Sequence, residues 1–197
     1  MTTRTRAIVL VSTAVMVAVG AVALVWGLAT RAGGSDGPDW GTWAEDAEAG
    51  VGFVVPTGWS VQEDDEPLFG QVMLHRDGDA HSVMLLGRLD GSLFASAESD
   101  TAAAASSLAS GMGEFFFPDS GQRIDLELGQ VSGEHVSGST VSYRVDFAEP
   151  SRDDAEIHAA VVERGDDRWW LVWFGDIPGS VDRELADAIA GSFTPLE

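Results

Sequence analysis

The chain has no cysteine and no lysine. Without cysteine there can be no disulfide, no thiolate zinc site and no cysteine nucleophile, and no thiol to carry the lipid of a bacterial lipoprotein. Without lysine there is no Gly-Lys phosphate loop. No Gly-x-Ser-x-Gly elbow joins an expected strand to an expected helix, as serine hydrolases require. No glycine fingerprint for dinucleotides follows a strand; Gly111 and Gly113 fall at the end of a helical pattern, where glycine terminates helices. Acidic residues are absent from the first 35 positions, the first being Asp36.

Beyond Arg31 the balance reverses. The remaining chain carries 32 acidic residues against eight arginines, a net charge of −24. A field of that sign repels nucleic-acid phosphates and anionic lipid headgroups, which excludes a duplex-DNA role and makes nucleic acid an unsuitable partner.

Residues 7–29 form an uncharged run, AIVLVSTAVMVAVGAVALVWGLA. Its length is enough to cross a hydrocarbon core of about 30 Å as a helix. Arg4 and Arg6 precede it, so the positive-inside rule leaves residues 1–6 in the cytoplasm and sends the rest outward. Trp26 stands near the outer end, where an indole suits the interface. The rival interpretation is a cleaved signal peptide, with Ala21-Val22-Ala23 as the cleavage site. The run continues past that site through Leu24, Val25 and Trp26, which favours a transmembrane anchor. Either way the remainder lies outside the cytoplasm. Residues 30–48, with Gly33, Gly34, Gly37 and Pro38, read as a short linker, and residues 49–197 as the folded domain.

Within that domain the apolar pattern alternates between strand and helix periods. Residues 53–56 and 59–61 read as short strands around Pro56-Thr57-Gly58. Residues 71–75 and 81–86 flank Asp77-Gly78, a hairpin signal. Leu93, Ala97, Ala104, Leu108, Met112 and Phe115 recur at helical spacing, which predicts a helix over 93–115, stopped by Pro118 and Gly121. Strands are expected at 124–128, 141–147, 155–163 and 168–174. A last helix is expected over 181–193, capped by Ser180. Short connections imply antiparallel neighbours. The expected class is α+β, a mostly antiparallel central sheet flanked by helices.

Candidate chemistry is sparse. His75 and His81 flank the hairpin turn and could meet across it with Asp77 or Asp79, although polar residues at a hairpin end are ordinary. His135 and His158 lie apart, and no histidine pair has helical metal-ligand spacing. Asp64-Asp65, Asp153-Asp154 and Asp166-Asp167 lack the alternation and central glycine of calcium loops. No metal, cofactor or enzymatic activity is expected. The most unusual segment is Arg168-Trp169-Trp170-Leu171-Val172-Trp173. Trp and Arg dominate binding hot spots, but a strand apolar at every position also suits the centre of a covered sheet.

Five stretches carry a resemblance: GFVVPTGW from Gly52, LLGRLDGSLFASAE from Leu85, MGEFFFP from Met112, VSGSTVSYRVDFAEPS from Val136 and RWWLVWFG from Arg168. In that order they resemble the fibronectin-attachment proteins, the alanine- and proline-rich secreted antigen family of mycobacteria and related actinobacteria. The resemblance implies a PsbP/Mog1-like α/β sandwich, surface display and binding of fibronectin as a partner. It also implies an attachment motif, Arg-Trp-Phe-Val in that family, at Arg168, Trp169, Trp170 and Leu171, of which the first two match. The proline-rich flanks of that family are not found within these 197 residues, and an anchor stands where the family has a cleaved signal. The expected function is therefore a non-enzymatic, membrane-anchored, adhesin-like module; the alternative is an envelope accessory domain binding another membrane protein, a lipid or a glycan. Peptide mapping of protein recovered from membranes should detect residues 1–6; a mature N-terminus at Leu24 would overturn the anchor.

Overall fold

Ten strands arrange themselves as two antiparallel sheets in the computed structural model, which describes residues 40–62, 67–91 and 93–196. The larger sheet has seven strands: β3 (Trp59–Val61), β4 (Val72–Arg76), β5 (Ser82–Arg88), β6 (Gly121–Ser132), β7 (Ser137–Phe147), β8 (Ala155–Arg164) and β9 (Asp167–Gly175). Their spatial order is β3-β4-β5-β9-β8-β7-β6. Two meanders, β3 to β5 and β6 to β9, meet where β9 pairs with β5. The smaller sheet places β2 (Val51–Pro56) between β1 (Gly41–Asp46) and β10 (Thr194–Pro195). Helix α1 (Thr101–Phe116) connects the two meanders, and α2 (Arg183–Gly191) follows β9.

The core lies on both faces of the seven-stranded sheet. On one face Leu108, Ala109 and Met112 of α1 pack against Tyr143, Ile157, Trp170 and Val172. On the other, α2 and the small sheet bring Phe53, Ile189 and Phe193 against Leu74, Leu171 and Trp173. Strand β9 alternates between the two, with Trp169, Leu171 and Trp173 in one core and Trp170, Val172 and Phe174 in the other. The apolar run thus sits where a strand must be dry on both sides.

Several sequence expectations need correction. Residues 93–115 are not one helix. A 3-10 turn, Phe94–Ala97, precedes α1, which begins at Thr101 with the Asp100 carboxylate accepting from the Ala103 amide at 2.8 Å. That side-chain cap satisfies an amide the helix leaves open, so the helix starts there despite apolar spacing upstream. The cap of α2 is Asp182, which accepts from the Leu185 amide; the Ser180 hydroxyl donates instead to the Ile177 carbonyl. Residues 41–46, read as linker, form β1 through pairing with β2. The Trp43 ring lies across Gly52, where any β-carbon would collide with it. No apolar periodicity marks β1, because it is an edge strand of a two-sided sheet and carries exposed residues. The proposed membrane anchor at residues 7–29 lies outside the described residues. Among the described residues no helix is long and apolar enough to cross a membrane.

Tyr143 ties α1 to the sheet. Its phenol donates to the Ala109 carbonyl at 2.7 Å, and Gly113 leaves the room for that oxygen. Burial pushes the phenol pKa up to about 12, with Arg123 nearby opposing the shift. The unfolded chain loses this proton near pH 10, whereas the folded chain holds it, so stability contributed below pH 10 is lost as pH rises towards 12. The loss should be about 2–3 kcal/mol. Tyr143 is the single tyrosine, so tyrosinate absorbance reports it alone. A spectrophotometric midpoint near 10 in the folded protein would contradict the assignment.

Candidate functional site

The segment singled out by sequence, Arg168 to Leu171, occupies the start of β9 between β5 and β8. Trp169, Trp170 and Leu171 are buried, each at most 1% exposed. The Trp169 indole donates to the Ala49 carbonyl at 2.9 Å, and the Trp173 indole to the Ser82 hydroxyl at 2.6 Å. Trp173 also meets Trp59 edge to face, with centroids 4.8 Å apart. The Trp170 Nε1 lies buried with no partner among the described residues.

Arg168 is the partly exposed member of the four. Its guanidinium donates to the Glu98 and Ser96 carbonyls, both at 2.8 Å. Those carbonyls end the 3-10 turn just before the Asp100 cap, so Arg168 holds the chain break between the turn and α1. A further exposed side chain at this sheet end, Arg88, pairs with Asp167 and lies over the Trp169 ring at 5.9 Å.

The candidate metal residues do not converge. Asp77 accepts from the Ser60 hydroxyl, Asp79 from the His81 amide, and His81 Nδ1 lies 2.8 Å from Asp176 Oδ1. Among the described residues no group of three or more histidine or acidic side chains has metal-holding geometry.

Two features escaped sequence reasoning. The first is a buried polar array between β7, β8 and α2. Ser142 Oγ and His158 Nδ1 are 2.7 Å apart, and His158 Nε2 lies 2.9 Å from Asp187 Oδ1, close but out of line for a hydrogen bond. A serine hydrolase presents Nε2 to its serine and Nδ1 to its carboxylate. Here the order is reversed and Ser142 is buried in mid-strand, so the array joins α2 to the sheet instead of offering a nucleophile. The second is surface apolar area. Leu126 and Leu128 are 63% and 71% exposed on β6, while Leu68, Phe94 and Phe115 are exposed elsewhere. Alternation over Ile124-Asp125-Leu126-Glu127-Leu128 is the pattern of a strand with one dry face, yet both leucines face solvent.

Residues 44–197 match the family model of the fibronectin-attachment protein (FAP) domain. The chain belongs to that family. The match begins within β1 and runs to the end of the chain, so it takes in every later strand and both helices. The chain is 36% identical over 169 residues to the alanine and proline-rich secreted protein Apa of Mycobacterium bovis, covering 75% of this chain and 52% of that one. It is 33% identical over 175 residues to Apa of Mycobacterium leprae, covering 76% and 61%. The chain thus spans about half the length of the curated relatives it matches. The fold is similar to that of cyanobacterial PsbP (CyanoP) from Synechocystis, with a TM-score of 0.53 over 84% of this chain and 98% of that one. At 13% identity this likeness concerns the fold alone. The FAP domain of this chain therefore has the PsbP-like sandwich that the resemblance implied.

Because β9 supports both cores of the FAP domain, truncation there should be costly. Trp169→Ala and Trp170→Ala should each lower stability by about 3–5 kcal/mol, and Arg168→Ala by clearly less. Urea denaturation followed by circular dichroism checks the ranking; equal costs for all three would contradict it.

Proposed function

We propose that this protein is a non-enzymatic, extracytoplasmic binding module of the fibronectin-attachment type, held at the membrane by residues 7–29. The observation that carries this reading is the family match over residues 44–197. The acidic domain, the uncharged run behind Arg4 and Arg6, and the secreted nature stated in the relatives' name agree with a position outside the cytoplasm. The buried histidine array lacks an accessible nucleophile, which supports binding over catalysis.

Attachment through Arg168, Trp169, Trp170 and Leu171 has a physical restriction. In the folded domain Arg168 alone presents polar atoms near the surface, and its guanidinium is already engaged by two carbonyls. Recruiting the indoles would require opening the central strand. Their burial favours the alternative of an envelope accessory domain that binds another membrane protein, a lipid or a glycan.

Surface plasmon resonance with immobilised fibronectin separates these. The full chain in detergent micelles should bind, and Arg168→Ala should weaken binding if the guanidinium takes part. A variant that binds normally while Trp169→Ala merely loses stability would remove this segment from the interface. Failure of the unaltered chain to bind, with co-purification of a membrane partner, would favour the accessory role.

A further inference from the structure

The seven-stranded sheet ends in two unequal edges. At one, β3 has three residues. At the other, β6 has twelve and, among the described residues, pairs with β7 alone. A free sheet edge offers a row of amides and carbonyls to another extended chain, and proteins commonly protect such edges with lysine, proline or bulges. This chain has no lysine, and β6 contains no proline. It does contain one bulge: the register with β7 slips between Ile124 and Glu127, and Asp125 there has φ 53°. Past the bulge, Glu127 to Ser132 pairs regularly with β7 over six residues, about 20 Å of strand.

Leu126 and Leu128 stand exposed along this edge among the polar Gln122, Arg123, Asp125, Glu127, Gln130 and Ser132. Leu128 pairs with Val141, which packs into the α1 core, so Leu128 lies on that side of the sheet. Leu126 falls within the bulge, next to the regularly paired stretch, and is 63% exposed. The intervening Glu127 is held by Arg183 at 2.9 Å, and Asp125 by Arg144. Both acids at the edge are thus paired within the chain, and a partner meets backbone groups, the two leucines and the uncharged Gln122, Gln130 and Ser132.

Charge restricts that partner further. Arg76, Arg88, Arg123, Arg144, Arg152 and Arg183 all pair with carboxylates of the domain, and Arg168 binds carbonyls. With 32 acids in the chain, the uncompensated field is negative. An approaching anionic segment is repelled, and a cationic one is attracted.

We propose that β6 is a strand-addition site that takes an extended, cationic segment of a protein partner bearing apolar side chains at alternate positions. Its backbone extends the sheet beyond β6, and its apolar residues cover Leu126 and Leu128. This rests on the fibronectin-attachment reading and identifies the surface that carries it, in place of the buried indoles of β9.

The test uses the full chain in detergent micelles, fibronectin as the probe, and two paired variants: Leu126→Lys with Leu128→Lys, and Leu126→Glu with Leu128→Glu. Both leucines are exposed, so neither variant disturbs the core. Strand addition predicts that both pairs lose roughly tenfold or more in affinity. It also predicts slower amide exchange along 127–132 in the complex. Weakening by the lysine pair with unchanged or stronger binding by the glutamate pair would mean that charge alone drives association, which overturns the proposal. Unchanged binding by both pairs overturns it while leaving fibronectin attachment intact. No binding by the unaltered chain removes the attachment reading and the proposal with it. Phe94→Ser with Phe115→Ser, at exposed apolar side chains away from β6, should bind normally; selective loss there would move the site off β6.

Discussion

Strand β9 is desolvated on both faces, and the architecture follows from having to cover it. Six consecutive apolar side chains, three of them indoles, cannot be left half in water, since each large side chain contributes roughly 1.5–3 kcal/mol or more when buried. One face receives α1. The other receives α2 and the small sheet, whose Phe53 and the following Phe193 meet edge to face at 6.3 Å. The two meanders of the sheet join at this strand. The indole N–H groups then set local geometry: Trp169 binds Ala49 ahead of β2, and Trp173 binds Ser82 at the start of β5.

The connections around β9 explain where the secondary elements begin and end. Arg168, at the head of the strand, reaches the Ser96 and Glu98 carbonyls and pins the turn before α1. Tyr143 reaches the middle of α1 from two strands away. His158, cross-strand from Trp173, meets Asp187 of α2. Helix α1 is therefore fastened to the sheet by hydrogen bonds within an otherwise apolar layer, whereas α2 meets it through the close approach of Asp187 to His158. The α1 contacts specify orientation, because a buried polar group left without its partner is costly.

Using the aromatic residues inside has a consequence outside. Once β9 is internal, its indoles cannot serve as an accessible recognition surface without opening the fold. The surface then offers a negative field and a few exposed apolar side chains. The β6 edge combines exposed leucines with unpaired backbone, a feature that family membership alone does not locate.

Strand positions, the Asp77-Gly78 hairpin and the two-faced character of β9 were legible in the sequence, since residue alternation and turn chemistry are local properties that survive any packing. The start of α1 was not, because Asp100 and Arg168 outweigh the apolar spacing that continues through residues 93–97. Strand β1 was not, because its strand state comes from pairing with β2 and from Trp43 lying over Gly52. The sequence by itself determined an acidic domain behind an uncharged run, without thiol or lysine chemistry, and with family-specific blocks in order. The tertiary structure alone decided that Trp169, Trp170 and Leu171 are interior, that Ser142, His158 and Asp187 meet, and that β6 lies at the edge. The reason is physical: composition and alternation are properties of neighbours along the chain, whereas burial and strand order depend on residues brought together from up to more than a hundred positions apart, as Trp169 and Ala49 are.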